Sequence, residues 1–337
     1  MKDSKYFNLQ MFANANVQTT LLNTTGNDLS PEMKVFYKTT LLENLREENY
    51  FNQFGKKQPL PKNGGKSVEF RRFEMFAPAT TALTEGVTPD GSKLNIASIN
   101  APIDQYGDYT TISDRLEMEA VDPIITETTE EHGANAGTTL DILTRNALIV
   151  GTNVYYGGDA EDRSELTPED TLTSTLANRA ATWLKKMHAP KINGSYIGIV
   201  HPSCSYDLRE SPGWIEAHKY ASPDEIYNGE IGKLHGIRFI ETSNVKVVKA
   251  GAVNDDNEAA AVYENLFFGR DAYGIIEPTA EALEVIVKAL GSGGTNDPLN
   301  QRSTVGWKAS HGAKIIYPER ILRVEVGSSF SYEDEEN

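Results

Sequence analysis

Thr80-Thr81-Ala82-Leu83-Thr84-Glu85-Gly86-Val87-Thr88-Pro89-Asp90-Gly91-Ser92-Lys93-Leu94-Asn95-Ile96-Ala97-Ser98-Ile99-Asn100 is a stretch that cannot bury itself. Its apolar residues (Leu83, Val87, Leu94, Ile96, Ile99) are scattered among Thr, Gly, Asp and Ser. The run is too long for a tight turn and too poor in hydrophobics for a core of its own. It is expected to find its burial on something else. On its N-terminal side, after Gly64-Gly65, Val68-Glu69-Phe70-Arg71 alternates apolar and charged side chains, slips at Arg71-Arg72 and resumes at Phe73-Glu74-Met75. That pattern predicts a strand with a bulge. On its C-terminal side, β-formers return at Tyr106-Gly107-Asp108-Tyr109-Thr110-Thr111-Ile112-Ser113.

Further toward the N-terminus, residues 1–29 are polar and turn-rich and read as an arm. Ser30-Pro31 then supplies a cap followed by proline, and Met33, Tyr37, Leu41 and Leu45 recur every four residues, predicting an amphipathic helix over about 31–49. Gly55, Pro59 and Pro61 are expected to stop regular structure after the aromatic cluster Tyr50, Phe51 and Phe54.

Toward the C-terminus, Asp122-Pro123 is a second cap-then-proline start. Ile125, Thr129, His132, Ala136, Leu140, Leu143 and Ala147 fall on one face of a helix predicted over 123–150. Gly133 and Gly137 lie inside it, each costing about 1 kcal/mol relative to Ala, and are expected to serve close packing or a bend. The acidic loop Gly157–Asp170, with Arg163 its one basic residue, reads as a boundary into an α/β unit. Thr167-Pro168-Glu169-Asp170 looks like a helix start, with Leu176, Ala180, Trp183 and Met187 as its apolar stripe. Strands are predicted at Tyr196–Val200, Gly236–Glu241, Ala261–Phe268 and Leu283–Ala289, and short helices after Pro202 and near Pro223–Tyr227. Loops 251–258 and 291–302 look mobile, Val305–Ile316 and Ile321–Val326 are β-rich, and the tail Glu333-Asp334-Glu335-Glu336 is expected to be solvated.

The 337 residues carry 32 Lys+Arg against 48 Asp+Glu, a net charge of -16 that opposes adhesion to phosphate backbones or anionic lipid. The charge is uneven: residues 1–76 hold a small basic excess and the rest is strongly acidic, so a basic excursion of one copy could lie on an acidic neighbour. A single cysteine, Cys204, excludes an intrachain disulfide. With no apolar N-terminal region and no run long enough to span a bilayer, the expectation is a soluble protein made in a reducing cytoplasm, without membrane partners. The six histidines show no H-E-x-x-H pair, and no metal or cofactor is expected. His201-Pro202-Ser203-Cys204 reads as a packed turn and not as a nucleophile with its base. Gly291-Ser292-Gly293-Gly294 lacks the Gly-Lys-Ser/Thr ending of a phosphate loop, Asn254-Asp255-Asp256-Asn257 lacks the ligand spacing of a calcium loop, and no catalytic residues are assigned.

Four stretches carry a family resemblance: Asn8-Leu9-Gln10-Met11-Phe12-Ala13, Leu83–Gly91, Gln105-Tyr106-Gly107-Asp108-Tyr109 and Val305-Gly306-Trp307-Lys308-Ala309. With the order of elements, they make the chain similar to tailed-bacteriophage major capsid proteins of the Hong Kong 97 type, and more closely to the capsid family named after a phage N4 coat protein. The resemblance covers nearly the whole chain, and Leu83–Gly91 and Tyr106–Tyr109 are its most specific parts. It implies an α+β fold: an N-terminal arm (1–29), a helix and connector (30–61), an extended loop (62–106), a peripheral domain with spine helix 123–150 (107–170), an axial domain (171–290), and a return to the peripheral domain with an acidic tail (291–337). Intersubunit contacts would come from Arg71, Arg72, Leu83, Glu85, Val87, Asp90 and Leu94, and the spine helix would rest on Asp122, Pro123, Gly133, Gly137 and Leu140.

The implied function is a non-enzymatic one: self-assembly through hexamers and pentamers into an icosahedral shell, in the host cytoplasm, that becomes the capsid of the virion. The implied partners are other copies, a separate scaffold protein, a portal, a decoration protein, and double-stranded DNA enclosed without specific binding. An encapsulin-like compartment around a protein cargo, a tail or baseplate component, and an α/β enzyme with no sequence-visible motif stay open as alternatives.

Overall fold

The computed structural model describes residues 41, 49–61, 65–88, 91–119, 123–218, 230–253, 259–278, 283–293, 297–331 and 334–337. The expected arm 1–29, all of the first helix except Leu41 (which is helical and buried) and Asn49 (which is not helical), the short helix near Pro223–Tyr227, Asn254–Asn257, Asp90, Asp122 and Glu333 lie outside them. Among the described residues the elements are β1 (Lys56–Leu60), β2 (Ser67–Phe73), β3 (Ile96–Pro102), β4 (Asp104–Ser113), α1 (Asp114–Glu119), α2 (Ile124–Ile149), β5 (Val154–Tyr156), α3 (Ser174–Lys186), β6 (Tyr196–Val200), α4 (Pro202–Glu210) and α5 (Pro212–His218). They continue with β7 (Glu230–Leu234), β8 (Ile237–Glu241), β9 (Lys246–Val253), β10 (Ala259–Phe268), β11 (Tyr273–Pro278), β12 (Glu284–Lys288), β13 (Arg302–His311), β14 (Ala313–Ile315) and β15 (Ile321–Val326).

Two compact units are built from interleaved segments. One contains residues 107–133 and 284–308, and the other contains 45–106, 134–283 and 309–337. The smaller unit holds the sheet β12-β13-β4. Leu283–Ala289, read as a strand of the α/β unit, is a strand, but it pairs antiparallel with β13, Val285 opposite Trp307, and not with the large sheet. Here Gly107 and Gly306 let two strands approach: a Cβ on Gly306 would lie 2.6 Å from the Asp108 oxygen, and one on Gly107 2.5 Å from the Trp307 oxygen. Within the same unit Pro123 ends the lead-in to α2, its carbonyl accepting from the Thr126 and Glu127 amides. Gly133 is buried there.

The larger unit is organised on a seven-stranded mixed sheet, β5-β15-β10-β6-β8-β7 with β9 added on β10. Successive residues of a strand face opposite ways, and both faces are covered. Val200, Tyr263, Phe267, Leu322 and Val324 pack with α3, α4 and α5, whereas Ile197, Ile199, Leu266, Phe268 and Ile321 pack with Phe51, Leu148 and Tyr273. Helix α3 begins at Ser174, where Thr173 caps Leu176 N; it does not begin at Thr167. The Asp170 carboxylate instead accepts from the Thr167 amide and hydroxyl, 2.8 Å each, and closes a turn.

The structure departs from sequence expectation at Pro59 and at Asp334, and it holds the acidic loop by contacts that local sequence does not show. Pro59 does not stop regular structure: β1 pairs parallel with β11 as an edge strand, where a missing N–H costs nothing. The acidic loop 157–170 is fastened to the sheet, since Arg163 bridges Glu264 and Glu325, buried cross-strand neighbours on β10 and β15. In the tail Glu335 and Glu336 are exposed as expected, but Asp334 is docked, its carboxylate accepting from Tyr263 Oη at 2.6 Å and Ser203 Oγ at 3.2 Å.

Helix α2 spans 26 residues, about 39 Å at 1.5 Å per residue. In its second half the buried positions are Ala136, Gly137, Asp141, Thr144, Arg145 and Leu148, while Leu140 and Leu143 are only half-buried. The inward face is thus partly polar, which apolar periodicity does not detect. Asp141 Oδ1 accepts from the amides of Tyr50 (2.9 Å), Phe51 (2.7 Å) and Asn52 (3.4 Å), and its Oδ2 from Asn244 Nδ2. Three orphan amides of a one-turn 3₁₀ segment are thereby satisfied by a single carboxylate. Thr144 Oγ1 bonds His311 Nε2 at 2.8 Å.

Burial pushes the Asp141 carboxyl up to about 6 although its hydrogen bonds pull it down, and burial lowers the His311 imidazole to about 4. The two groups act on stability with opposite sign. Folded Asp141 keeps its proton to higher pH than the unfolded chain, so its contribution falls as pH rises from about 4 to about 6. Folded His311 refuses a proton that the unfolded chain accepts near 6.5, so its contribution falls as pH drops from 6.5 toward 4. Asp141→Asn retains the acceptor for residues 50–52 and leaves His311 unopposed. Urea unfolding of this variant should show stability climbing between pH 4 and 6.5 by on the order of 3 kcal/mol, a slope that the parent chain largely cancels.

Candidate interaction surface

Strands β2 and β3 form an antiparallel ribbon in unbroken register, from Ser67 opposite Pro102 to Phe73 opposite Ile96. The expected bulge is absent. What looks like a slip in the alternation is Arg72 occupying an inward position after Val68 and Phe70. Its guanidinium lies over the Tyr317 ring, 5.6 Å from the centroid, and 3.3 Å from Glu319. The Tyr317 hydroxyl in turn accepts from the Phe73 amide at 3.1 Å. Arg320 stacks on the same ring, so one tyrosine gathers two guanidinium groups at the root of the ribbon.

The root is apolar as well as stacked. Val68, Phe70 and Ala101 are buried with Ile276 and Ile316. Gly274 makes room for this, since a Cβ there would meet Phe70 Cε1 at 2.4 Å. Beyond the last ladder pair the two chains stay together through Glu74 N to Asn95 O (3.2 Å) and Asn95 Nδ2 to Glu74 Oε2 (3.3 Å). A turn closes at Val87 N to Thr84 O, with Gly86 at φ 81° as the third residue of the turn requires.

The ribbon's outer part carries its apolar side chains in solvent. Leu83 is 77% and Val87 62% exposed, and Phe73, Met75, Phe76, Leu94 and Ile96 are also exposed. Burying one such side chain against a partner is worth about 1.5–3 kcal/mol, so several together form a strong adhesive surface. Sequence reasoning found Leu83, Val87 and Leu94 on this element with Glu85, Arg71 and Arg72. Ile96 reads there too as an apolar residue in need of cover, whereas Phe73 and Met75 read only as strand residues and Phe76 is missed, although the density of apolar residues at 73–76 is there to be read. Tyr317 and Glu319 give no local signal, being distant in sequence from the ribbon they hold. Both arginines are engaged within the chain, Arg71 lying 3.5 Å from Glu69 and Arg72 paired with Glu319. The surface that the ribbon leaves exposed is marked by apolar side chains more than by unpaired basic ones.

The residues considered for chemistry are engaged structurally. Cys204 is buried, accepts weakly from Asn265 Nδ2, and burial pushes its thiol well above the ordinary range. His201 caps α4 by accepting from Ser203 N at 3.3 Å and packs on the Tyr263 ring. Among the described residues no group of three or more His, Cys, Asp or Glu is placed to hold a metal, and no helix is long and apolar enough to cross a membrane.

Comparison with known proteins points one way. The family described as phage capsid protein matches residues 96–324. The capsid of Ralstonia phage GP4 is similar in structure with a TM-score of 0.66 at 16% identity, covering 87% of this chain and 93% of that one. The capsid of cyanophage P-SCSP1u is similar at 0.61 and 15% identity (83% and 89% covered), and that of cyanophage Pam1 at 0.60 and 13% identity (82% and 89%). No curated protein matches the sequence.

The geometry separates root from tip. Leu83→Ser with Val87→Ser should leave the stability of the isolated subunit within about 0.5 kcal/mol, because neither side chain is buried in its own chain. Phe70→Ala, at the root, should cost about 3–5 kcal/mol. Chemical denaturation of the two variants side by side checks the contrast.

Proposed function

The chain belongs to the phage capsid protein family, and on that premise we propose that it is the major shell subunit of a phage head, assembled through hexamers and pentamers into an icosahedral container for double-stranded DNA. The observation that carries the proposal is the β2-β3 ribbon, whose root is locked into its own subunit while its apolar tip is left in solvent. A tip of this kind is satisfied by the body of an adjoining copy, and in a closed shell the same contact repeats at every subunit. The subunit's role is structural: its polar clusters cap helices, close turns and pin loops.

The net charge of -16 suits a wall that surrounds DNA without gripping it, since Lys/Arg-rich surfaces bind phosphates in proportion to the charges they neutralise. A separate scaffold protein would set the curvature, a portal would occupy one vertex, and a decoration protein would bind the outside. Assembly would take place in the host cytoplasm, ahead of packaging. Residues 1–29 and the ribbon 62–106 would tie neighbouring capsomers together, and residues 171–290 would line the capsomer axis.

Electron microscopy of the chain expressed with its scaffold should show closed particles, and particles recovered from infection should contain double-stranded DNA. Leu83→Asp with Val87→Asp should abolish closed particles while leaving folded, soluble subunits, because a charge cannot be desolvated in the contact. Undiminished shell formation by that variant would overturn the role given to the tip. Particles filled with a protein cargo and no nucleic acid would overturn the phage head.

A further inference from the structure

Among the described residues strand β9 pairs with β10 on one side only. A strand edge left open presents a row of unpaired N–H and C=O groups and is a template for pairing with another chain. Near the far end of β9 the Ala252 amide donates to the Leu166 carbonyl at 2.8 Å, and along Val245–Lys249 the open side of the strand is occupied by side chains. Asn337 Oδ1 accepts from the Val247 amide at 3.1 Å, and its Nδ2 donates to the Val245 carbonyl at 2.9 Å. These are the two bonds that a residue of a parallel neighbouring strand would make across Lys246 with its own backbone. Two residues further along β9 the next outward amide, Lys249 N, donates to Glu336 Oε1 at 2.8 Å. The spacing is that of alternate residues on a strand edge.

The mimic is held firmly. Buried Arg145 donates from Nη1 to Asn337 Oδ1 at 2.9 Å, and Lys246 Nζ donates to the Asn337 backbone oxygen. Two donors on Oδ1 and two carbonyls, Ser243 and Val245, around Nδ2 fix which way the amide faces. Upstream, Asp334 is anchored by Tyr263 and Ser203.

We propose that Glu336 and Asn337 are a side-chain strand that closes the β9 edge, and that without them a second copy of this chain pairs with that edge. For a protein that associates through chosen surfaces the device removes an unwanted one, a need that holds whatever shape the assembly takes. The inference does not rest on the shell reading, and it is read out on the isolated subunit.

Hydrogen exchange and sedimentation of the full chain test it. In Glu336→Ala the Lys249 amide should exchange about tenfold faster with Val247 unchanged, and in Asn337→Ala the Val247 amide should do so. Asn337→Ala should also self-associate with rising concentration. Adding Lys249→Pro, which deletes an outward N–H on an exposed edge residue, should restore the monomer. Unchanged exchange at Lys249 in Glu336→Ala overturns the proposal, and that variant leaves the Arg145 contacts intact should Asn337→Ala not fold. Faster exchange at Val247 without self-association, or association that Lys249→Pro does not suppress, overturns the guarding role.

Discussion

A ribbon of two strands has no second layer, so whatever apolar surface it carries beyond its root must stay wet or be covered by another molecule. Everything else in this subunit is arranged around that constraint. Phe70 inserts beneath Gly274, Arg72 and Arg320 share the face of Tyr317, and Tyr317 holds the Phe73 amide. These contacts end where the ladder ends. The transition from buried Val68 and Phe70 to exposed Phe73, Met75 and Phe76 takes place within a few residues. Root contacts hold the base of the ribbon rigidly, while the apolar side chains of the tip stay in solvent.

The interior of the larger unit shows a second kind of economy, in which ionic and polar groups join segments remote in sequence. Asp141 gathers residues 50–52 and Asn244, Thr144 reaches His311, and Arg145 reaches Asn244 and Asn337. One helix face therefore collects four parts of the chain. Such contacts are weaker than apolar burial per unit area, but they demand a particular geometry, and a buried donor or acceptor left without its partner is costly. They define where the strands stop as much as how strongly they hold.

Much of this was legible in the sequence. The long excursion at 80–100, the helix after Pro123, the strands at 196–200, 261–268 and 321–326, and the helix after Pro202 all follow from periodicity and caps. The resemblance then fixed the kind of protein, and two of the stretches that carry it, at 105–109 and 305–309, turn out to be neighbouring strands that meet at Gly107 and Gly306. What stayed hidden has a common cause. Pro59 in a strand breaks the rule that proline ends regular structure, while Arg72 facing inward, Asp141 and Arg145 on a buried helix face, and Asp334 docked on the body of its own chain break the local rule that polar residues face water. Each is rescued by a partner tens to hundreds of residues away: β11 for Pro59, Tyr317 for Arg72, Asn244 for Asp141, Tyr263 for Asp334. No window of neighbouring residues contains that information.

The shielding of Cys204 has a practical consequence. The chain's sole thiol is enclosed and protonated, so alkylating probes and mild oxidants find no target on the surface. The natural sequence is thus already a silent background for chemistry: a cysteine placed at an exposed position of the ribbon would be the one group to react with a maleimide dye. A fluorophore there, with a second on the subunit body, would turn each docking event between copies into a change of energy transfer that can be followed in real time.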